Sequence, residues 1–191
     1  MKLLRLRKQK NESNRLVKEY IVTALIELMK EHDYNSITIT DITRKAGVSR
    51  MAYYRNYSSK DDILNNYMEE IAATVHETIE TAGSKQDIYE YFLTLFEQLG
   101  AYRDVGLTVY RAHLGELILR NITQNISITF PPFDDTPGAK YRHAFLAGAF
   151  YNVFIEWLKT GHNESCEEMA RICAELTFDG CHPEQKKEDA Q

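Results

Sequence analysis

Apolar residues recur at helical spacing along almost the whole chain, and this pattern restricts the fold more than any other feature of the sequence. In its clearest instance, Val17, Ile21, Ala24, Leu25 and Leu28 form one stripe. Gly and Pro, which interrupt helices, account for only 9 and 4 of the 191 residues. Alternation of β-branched residues is rare as well, so the sequence predicts an all-α fold of about nine helices.

Two of the predicted helices are short and are joined by a tight turn. Thr38 followed by Asp41 is typical of a capping box and predicts a helix over residues 39–46. Gly47 then supplies a left-handed turn, and Ser49 caps a second helix over about 50–57. With the long first helix ahead of them, these two helices form a helix-turn-helix unit, whose second helix enters a DNA major groove.

The remaining helices are predicted from the same periodicity. Ser58 or Ser59 caps a helix that runs to about Thr81, and further helices are expected over 86–101, 104–120, 139–160 and 165–179. Phe130–Gly138 is expected to be a loop because it holds three prolines and a glycine. The pattern leaves Asn121–Ile128 undecided between helix and loop.

The charge of the chain is divided unevenly along its length. Residues 1–60 hold 13 Lys and Arg against 6 Asp and Glu, a net +7, whereas residues 61–191 hold 10 against 22, a net −12. A basic segment on an acidic body is typical of a nucleic-acid-binding protein. The alternative is a solvated basic face without a partner.

Ten residues are candidates for contact with double-stranded DNA. Arg50 is the most telling, because a cation at the start of a helix opposes the helix dipole unless an anion is near. Hydroxyl, thioether and guanidinium groups suit base edges and phosphates. Each of several residues has an alternative role. Tyr54 and Tyr57 could be core residues, and for Tyr57 the core is the preferred interpretation. Thr38 could be only a helix cap, and Lys60 only a solvated lysine. The candidates are Thr38, Thr40, Ser49, Arg50, Met51, Ala52, Tyr53, Tyr54, Arg55 and Lys60.

The stretch TITDITRKAGVSRMAYYRNYSSKDDIL resembles the DNA-binding signature of the TetR family of transcriptional regulators. Thr43, Met51 and Asn56 depart from the residues usual in that family. The segment YRHAFLAGAFYNVFIEWLKTG is similar to the effector and dimerisation part of one TetR subgroup, which resembles the regulator of a dihydroxyacetone kinase operon. The shared frame is Thr38, Ile42, Ala46, Gly47, Val48, Ser49, Tyr54, Tyr57, Lys60 and Leu64.

The resemblance implies a homodimer in which the last two helices of each subunit form a four-helix bundle. Independently, residues 144–158 are apolar around most of a helix, which indicates burial on more than one side. The alternative is the central helix of a monomer. The candidate interface residues are Phe145, Gly148, Tyr151, Phe154 and Trp157.

An effector pocket is expected within residues 86–160, where aromatic and polar side chains are frequent. His113 and Glu116 would share a helix face, either in the pocket or as an ordinary hydrogen-bonded pair. No nucleophile, phosphate loop or metal set accompanies them, so we expect neither an enzyme nor a cofactor. The candidate ligand-binding residues are Tyr89, Phe92, Phe96, Tyr110, His113, Glu116 and Asn152.

The three cysteines, Cys166, Cys173 and Cys181, match neither a disulfide framework nor a zinc motif. Small buried thiols are the preferred interpretation, and a redox or metal sensor is the alternative. No apolar run of membrane-spanning length and no signal peptide are found, so a cytoplasmic protein without a membrane partner is expected.

The sequence therefore predicts a DNA-binding domain over residues 1–60, a ligand-binding and dimerisation domain over 61–182 and a disordered tail over 183–191. The function expected is that of a transcriptional regulator, a repressor that acts as a homodimer on a palindromic operator. Its effector would be a small molecule or, alternatively, a protein.

Overall fold

Side-chain caps determine where the short helices of the N-terminal part begin. The Thr38 hydroxyl accepts the Asp41 N–H at 3.2 Å, and the Thr38 N–H donates to the Asp41 carboxylate at 3.1 Å. Ser49 accepts the N–H of Ala52 at 3.1 Å. Each bond satisfies a backbone donor that has no partner within its helix. The capping box and the Ser49 cap are therefore confirmed.

The computed structural model describes residues 2–82, 87–129, 138–161 and 163–181. Within these ranges the chain forms nine α-helices and one 3-10 turn, Tyr34–Ser36, and it contains no strand, so the all-α prediction is confirmed. The helices are α1 (Lys2–Glu31), α2 (Ile39–Ala46), α3 (Arg50–Asn56), α4 (Lys60–Ala82), α5 (Ile88–Gly100), α6 (Arg103–Arg111), α7 (Gly115–Thr129), α8 (Ala139–Lys159) and α9 (Cys166–Cys181).

The prediction of a single helix over 104–120 is wrong. The chain breaks between α6 and α7, where His113 adopts a positive φ of 60° that a helix does not accommodate. Helix α7 then continues to Thr129, so the undecided segment Asn121–Ile128 is helical. The predicted loop, apart from Gly138, and the predicted tail lie outside the described residues.

The described residues divide into two compact units. The first contains the chain up to Glu70 together with Thr108–Gly115, and the second contains Ile71–Leu107 together with the chain from Glu116 onward. The division falls inside α4, ten residues beyond the boundary expected after residue 60. Helix α4 therefore supplies residues to both units.

The core of the first unit is made of large aliphatic and aromatic side chains from α1 to α4. The segment Thr108–Gly115 adds Val109, which is also fully buried. Burial of this apolar surface is the main force that holds the short α2 and α3 helices in place, because helices of seven or eight residues are not stable alone. The fully buried side chains are Ile21, Leu25, Ile42, Tyr53, Ile63 and Leu64.

The core of the second unit is an aromatic cluster between α5 and α8. The ring of Phe96 meets that of Trp157 edge-on at 5.0 Å, and Phe150 stacks on Phe154 at 6.0 Å. The Trp157 indole N–H donates to the Glu164 carbonyl at 3.0 Å. Phe154 and Trp157 were expected at a dimer interface. They are core residues instead, because their side chains are buried inside the subunit.

Candidate nucleic-acid interface

A three-residue connection, Gly47 to Ser49, joins α2 to α3 and sets the angle between them. Gly47 has a φ of 66°, and its N–H donates to the Arg44 carbonyl at 3.3 Å. The Val48 N–H follows with a bond to the Thr43 carbonyl at 3.1 Å. A Cβ at Gly47 would meet nothing within 4 Å, so the left-handed backbone, rather than lack of space, is what calls for glycine.

Helix α3 has one buried and one exposed face. Tyr53 and Tyr57 lie on the buried face with ring centroids 6.3 Å apart. Met51 and Tyr54 lie on the other face, 77% and 59% exposed. The prediction that Tyr53 faces DNA is wrong, because this side chain anchors α3 to the core. The preferred core position of Tyr57 is confirmed.

Arg50 connects the beginning of α3 to the beginning of α2. Its Nη2 donates to the Thr40 hydroxyl, and both residues are exposed. A guanidinium carries five N–H donors in a fixed plane, so one bond orients the group and leaves further donors for a base edge or a phosphate. The two candidates Thr40 and Arg50 therefore lie side by side.

Lys60 has a different environment from the one expected. Its ammonium donates to the Tyr34, Asn35 and Ile37 carbonyls, the last two at 3.3 and 3.2 Å, and lies 4.4 Å from the centre of the Tyr34 ring. An ammonium has three donors, which these carbonyls occupy. Lys60 thus fastens the 3-10 turn to α4, and a contact with phosphate, which stays a prediction, would require one of these bonds to break.

The same turn is held by a second bond to α4. The Tyr34 hydroxyl donates to the Asp61 carboxylate, and burial together with this bond raises the pKa of Tyr34. The phenol therefore stays a neutral donor at physiological pH. Sequence analysis missed this pair, because its members are 27 residues apart.

The other candidates divide by exposure. Thr38 and Ser49 are exposed but serve as helix caps, and Ala52 is half-buried. Arg55 is exposed at the end of α3, near Met51 and Tyr54 in sequence. The exposed face of the two helices thus presents guanidinium, hydroxyl and thioether groups. These are groups that bind base edges, thymine methyls and phosphates.

The second unit contains a cavity of about 140 Å³. Five residues of α4 line it, and α5, α7, α8 and α9 supply the rest of its wall. Sequence analysis missed the contribution of α4, because its apolar spacing predicts a buried stripe but not a hollow behind it. The α4 residues are Ile71, Ala72, Val75, His76 and Ile79.

Of the seven predicted ligand-binding residues, Phe92 lines this cavity and the other six do not. Phe96 is buried in the aromatic cluster, and Tyr89 and Tyr110 are half-buried elsewhere. Asn152 is exposed and donates to the Gly148 carbonyl at 2.7 Å. His113 and Glu116 are exposed and share no helix face, because His113 lies in the break before α7.

The cysteine side chains that the structure describes are unreactive in character. Cys173 lines the cavity, and burial raises its pKa to about 11. Burial also raises the pKa of Cys166, and the neighbouring Glu167 adds to this effect. Both are free thiols, and the described residues include no group of three or more His, Cys, Asp or Glu placed to hold a metal.

Helices α8 and α9 each expose apolar side chains at helical spacing. On α8, Tyr141 and Phe145 are 69% and 71% exposed, and a Cβ built on Gly148 would meet nothing within 4 Å. Ile172 and Leu176 are exposed four residues apart on α9. Of the predicted interface residues, Phe145 and Gly148 are therefore open to a partner, and Tyr151 is half-buried. Among the helices described, none is both long and apolar enough to traverse a bilayer.

Comparison with known proteins agrees with this geometry. Residues 21–67 match the family of bacterial regulatory proteins of the tetR family, and residues 86–179 match a transcriptional regulator C-terminal region. The chain is 22% identical over 174 residues to the HTH-type transcriptional regulator AlkX of Mycobacterium tuberculosis, covering 90% of this chain and 79% of AlkX.

Solved structures show the same fold. A TetR transcriptional regulator from Streptococcus agalactiae superposes with a TM-score of 0.61 at 19% identity, covering 88% of this chain and 97% of its own. The dihydroxyacetone kinase operon activator DhaS gives a TM-score of 0.55 at 16% identity, covering 84% and 93%. From the two matched regions and the helix-turn-helix geometry, the chain belongs to the TetR family of DNA-binding transcriptional regulators.

Proposed function

We propose that the chain is a ligand-released repressor that binds a palindromic operator as a homodimer. The observation that carries this proposal is the cavity in the second unit, because one of its walls is α4, the helix that also supplies residues to the first unit. A ligand that binds one arrangement of α4 more tightly than another shifts the population toward it. DNA affinity then changes by the same coupling free energy.

The DNA contact in this proposal is made by the exposed face of α2 and α3. Arg50 reads a base edge from the position in which Thr40 holds it, and Tyr54 and Arg55 contact phosphates. A two-fold symmetric dimer places two such helices on half-sites about one helical turn apart or a multiple of it.

The first experiment is a binding titration on the DNA upstream of the gene, at two salt concentrations, with scrambled DNA as control. We expect tight, sequence-selective binding that weakens with salt, because phosphate contacts release counterions. Equal affinity for both DNAs would contradict an operator at this position. Random-sequence selection that recovered no site would contradict the repressor proposal as a whole.

Two arginine variants test the assignment of the contact. Arg50→Ala is expected to relax discrimination at one base pair by about 1–3 kcal/mol. Arg44→Ala is the matched control, because Arg44 is exposed on α2 and is bonded to Asp41 at 2.8 Å. Similar loss of discrimination in both variants would assign the effect to general charge rather than to Arg50.

The dimer is tested on α8. Phe145→Arg places a charge on the exposed apolar face and is expected to shift sedimentation toward the monomer. Glu77→Lys, at an exposed position on α4, is the control and is expected to leave association unchanged. Unchanged association in Phe145→Arg would contradict this interface.

A protein effector is the second candidate, favoured by the exposed apolar side chains on α9. It makes a different prediction for the free protein. If the chain sediments as a monomer at micromolar concentration, these faces are open to another protein, and the homodimer proposal fails.

A further inference from the structure

We infer that Lys60 contributes to DNA recognition as a positioning residue, without a contact of its own to DNA. It holds the start of α2, and through α2 the guanidinium of Arg50, in the geometry that reads a base edge. The inference rests on the proposed function, because the base contact of Arg50 is taken from there. It goes further in that Lys60 acts on selectivity between DNA sequences, in place of the phosphate contact expected from the sequence.

The Lys60 ammonium has all three of its donors occupied. The acceptors are the carbonyls of Tyr34, Asn35 and Ile37, the last two at 3.3 and 3.2 Å. The charge also lies 4.4 Å from the centre of the buried Tyr34 ring. Binding of a phosphate oxygen would leave one of these carbonyls without its donor, so the folded geometry favours the bonds within the protein.

The three carbonyls lie at the end of the 3-10 turn Tyr34–Ser36, where a lysine side chain can bond the last carbonyl groups. Lys60 itself is the first residue of α4, where a cation opposes the dipole of its own helix. The partial negative charge of the carbonyls offsets that cost. The ammonium therefore joins the end of the turn to the start of α4.

A short path leads from Ile37 to the exposed face of α2 and α3. Ile37 is buried and directly precedes Thr38, whose side chain caps α2. Two residues beyond this cap, the Thr40 hydroxyl accepts a hydrogen bond from Arg50 Nη2. A shift of the Ile37 carbonyl therefore displaces both the cap of α2 and the hydroxyl that orients Arg50.

The turn is held by other contacts besides Lys60. The Tyr34 hydroxyl donates to the Asp61 carboxylate, and the Tyr34 and Ile37 side chains are 6% and 5% exposed. These contacts remain when the ammonium is removed. Lys60→Met keeps an unbranched apolar stem and is therefore expected to fold with a loosened start of α2.

The test measures the affinity of the full chain for two DNAs, the site recovered by random-sequence selection and a scrambled sequence, over a series of salt concentrations. Lys60→Met is expected to weaken binding to the selected site by roughly 5- to 150-fold, the discrimination of one bidentate base contact. Affinity for scrambled DNA is expected to stay within about twofold, because phosphate contacts carry no sequence information. The salt dependence is expected to stay unchanged.

Two further variants separate positioning from charge. Lys60→Arg keeps the charge, but no nitrogen of a guanidinium carries three donors, so this variant is expected to lose selectivity as Lys60→Met does. Arg55→Met, at an exposed position of α3, is the matched control for a phosphate contact. It is expected to weaken both DNAs equally and to reduce the slope of log affinity against log salt by about 0.9.

A double variant tests whether Lys60 acts through Arg50. Lys60→Met introduced into Arg50→Ala is expected to cause no further loss of selectivity, because both substitutions disrupt the same base contact. If Arg50→Ala alone leaves selectivity unchanged, the base contact in the proposed function fails. The positioning of α2 by Lys60 is then decided by a measurement that needs no DNA.

Hydrogen exchange of the free protein supplies that measurement. The amides of Asp41 and Ile42 bond to the hydroxyl and the carbonyl of Thr38, at 3.2 and 3.1 Å. Lys60→Met is expected to speed their exchange by roughly two- to tenfold, the fold-change of one net hydrogen bond. Arg55→Met is expected to leave it unchanged. If selection recovers no DNA site, the proposed function fails and exchange alone decides the role of Lys60.

Two results would overturn the inference. One is exchange at Asp41 and Ile42 that is the same in Lys60→Met as in wild type. The other is equal weakening of both DNAs by Lys60→Met. If the salt slope also falls by about 0.9 and Lys60→Arg binds as wild type does, Lys60 is a phosphate contact.

Discussion

The two units of the chain differ in how their cores are filled. Among the described residues, seven of the ten largest side chains that are under 2% exposed belong to the first unit, although it is the smaller of the two. The second unit keeps a cavity of about 140 Å³ behind α4. Caps, the Gly47 turn and the bonds of Lys60 further constrain the first unit.

This difference corresponds to two tasks. A close-packed unit with two bonded short helices presents side chains in one fixed geometry, which sequence recognition requires. A unit with empty space has packing energy still to gain, and in the proposed function a ligand supplies it. The charge follows the same division, with the basic surplus in residues 1–60 and the acidic surplus beyond them.

The largest expected effect concerns the filled core. Ile42→Ala removes a fully buried side chain of α2 and is expected to lower the free energy of unfolding by about 2–5 kcal/mol. Urea unfolding measures it, with Ile172→Ala, at a partly exposed site, as control. A loss below about 1 kcal/mol for Ile42→Ala would show that the first unit is loosely packed.

Two substitutions that enlarge a side chain compare the two cores directly. Ala24→Leu adds volume to the buried α1 face and is expected to cost about 1–3 kcal/mol by overpacking. Ala72→Leu places a larger side chain at the cavity wall. Its free energy of unfolding is expected to stay within about 1 kcal/mol of the wild-type value or to rise above it. Equal costs would remove the contrast between filled and hollow cores.

Two tyrosines sharpen the account of the first unit. Tyr34→Phe removes the donor to Asp61 and is expected to cost about 1–2 kcal/mol. The Tyr53 hydroxyl is buried without a partner among the described residues, and burial raises the pKa of Tyr53 to about 12. Tyr53→Phe is therefore expected to be neutral or stabilising by up to about 1 kcal/mol in thermal unfolding. A larger loss for Tyr53→Phe than for Tyr34→Phe would contradict this ranking.

The smallest expected effect is a dependence of folding stability on pH in the acid range. Bonds from Ser58 lower the pKa of Asp62 beneath its ordinary value of 3.8. The folded state therefore binds this proton less readily than the unfolded state, so the stabilisation is present above pH 3.8 and is lost as pH falls through the lowered pKa. Asp62→Asn is expected to flatten the decline of stability in acid. Parallel curves for variant and wild type would assign the decline to other carboxylates.

The features that sequence analysis predicted are those made by residues close in the chain. Thr38 with Asp41, Gly47 and Ser49 each act over three or four residues, so helix α2 has the predicted bounds. The carbonyl partners of Lys60 are 23 to 26 residues away, and no local pattern reports them. The predicted orientation of Tyr53 was wrong for a related reason. In a seven-residue helix, the packing of neighbouring helices decides which face is buried, and the sequence of the helix alone does not report it.

The cavity was beyond the sequence for another reason. Apolar spacing on α4 shows that Ile71, Val75 and Ile79 are buried, but a hollow is a property of five helices together. Helix α8 illustrates the same limit. Its apolar circumference indicated burial on several sides. Only the structure shows that Trp157 contacts Phe96 of α5 and that Phe154 is buried, while Phe145 stays exposed.

The membership of Thr108–Gly115 in the first unit has a consequence for biosynthesis. During synthesis, α1 to α4 are made before the segment that carries the buried Val109. The DNA-binding unit therefore cannot complete its core co-translationally until α5 and α6 have followed. A gene fusion that joins residues 1–70 to a foreign effector region would leave the core of the first unit without Val109. The two units are therefore not interchangeable modules.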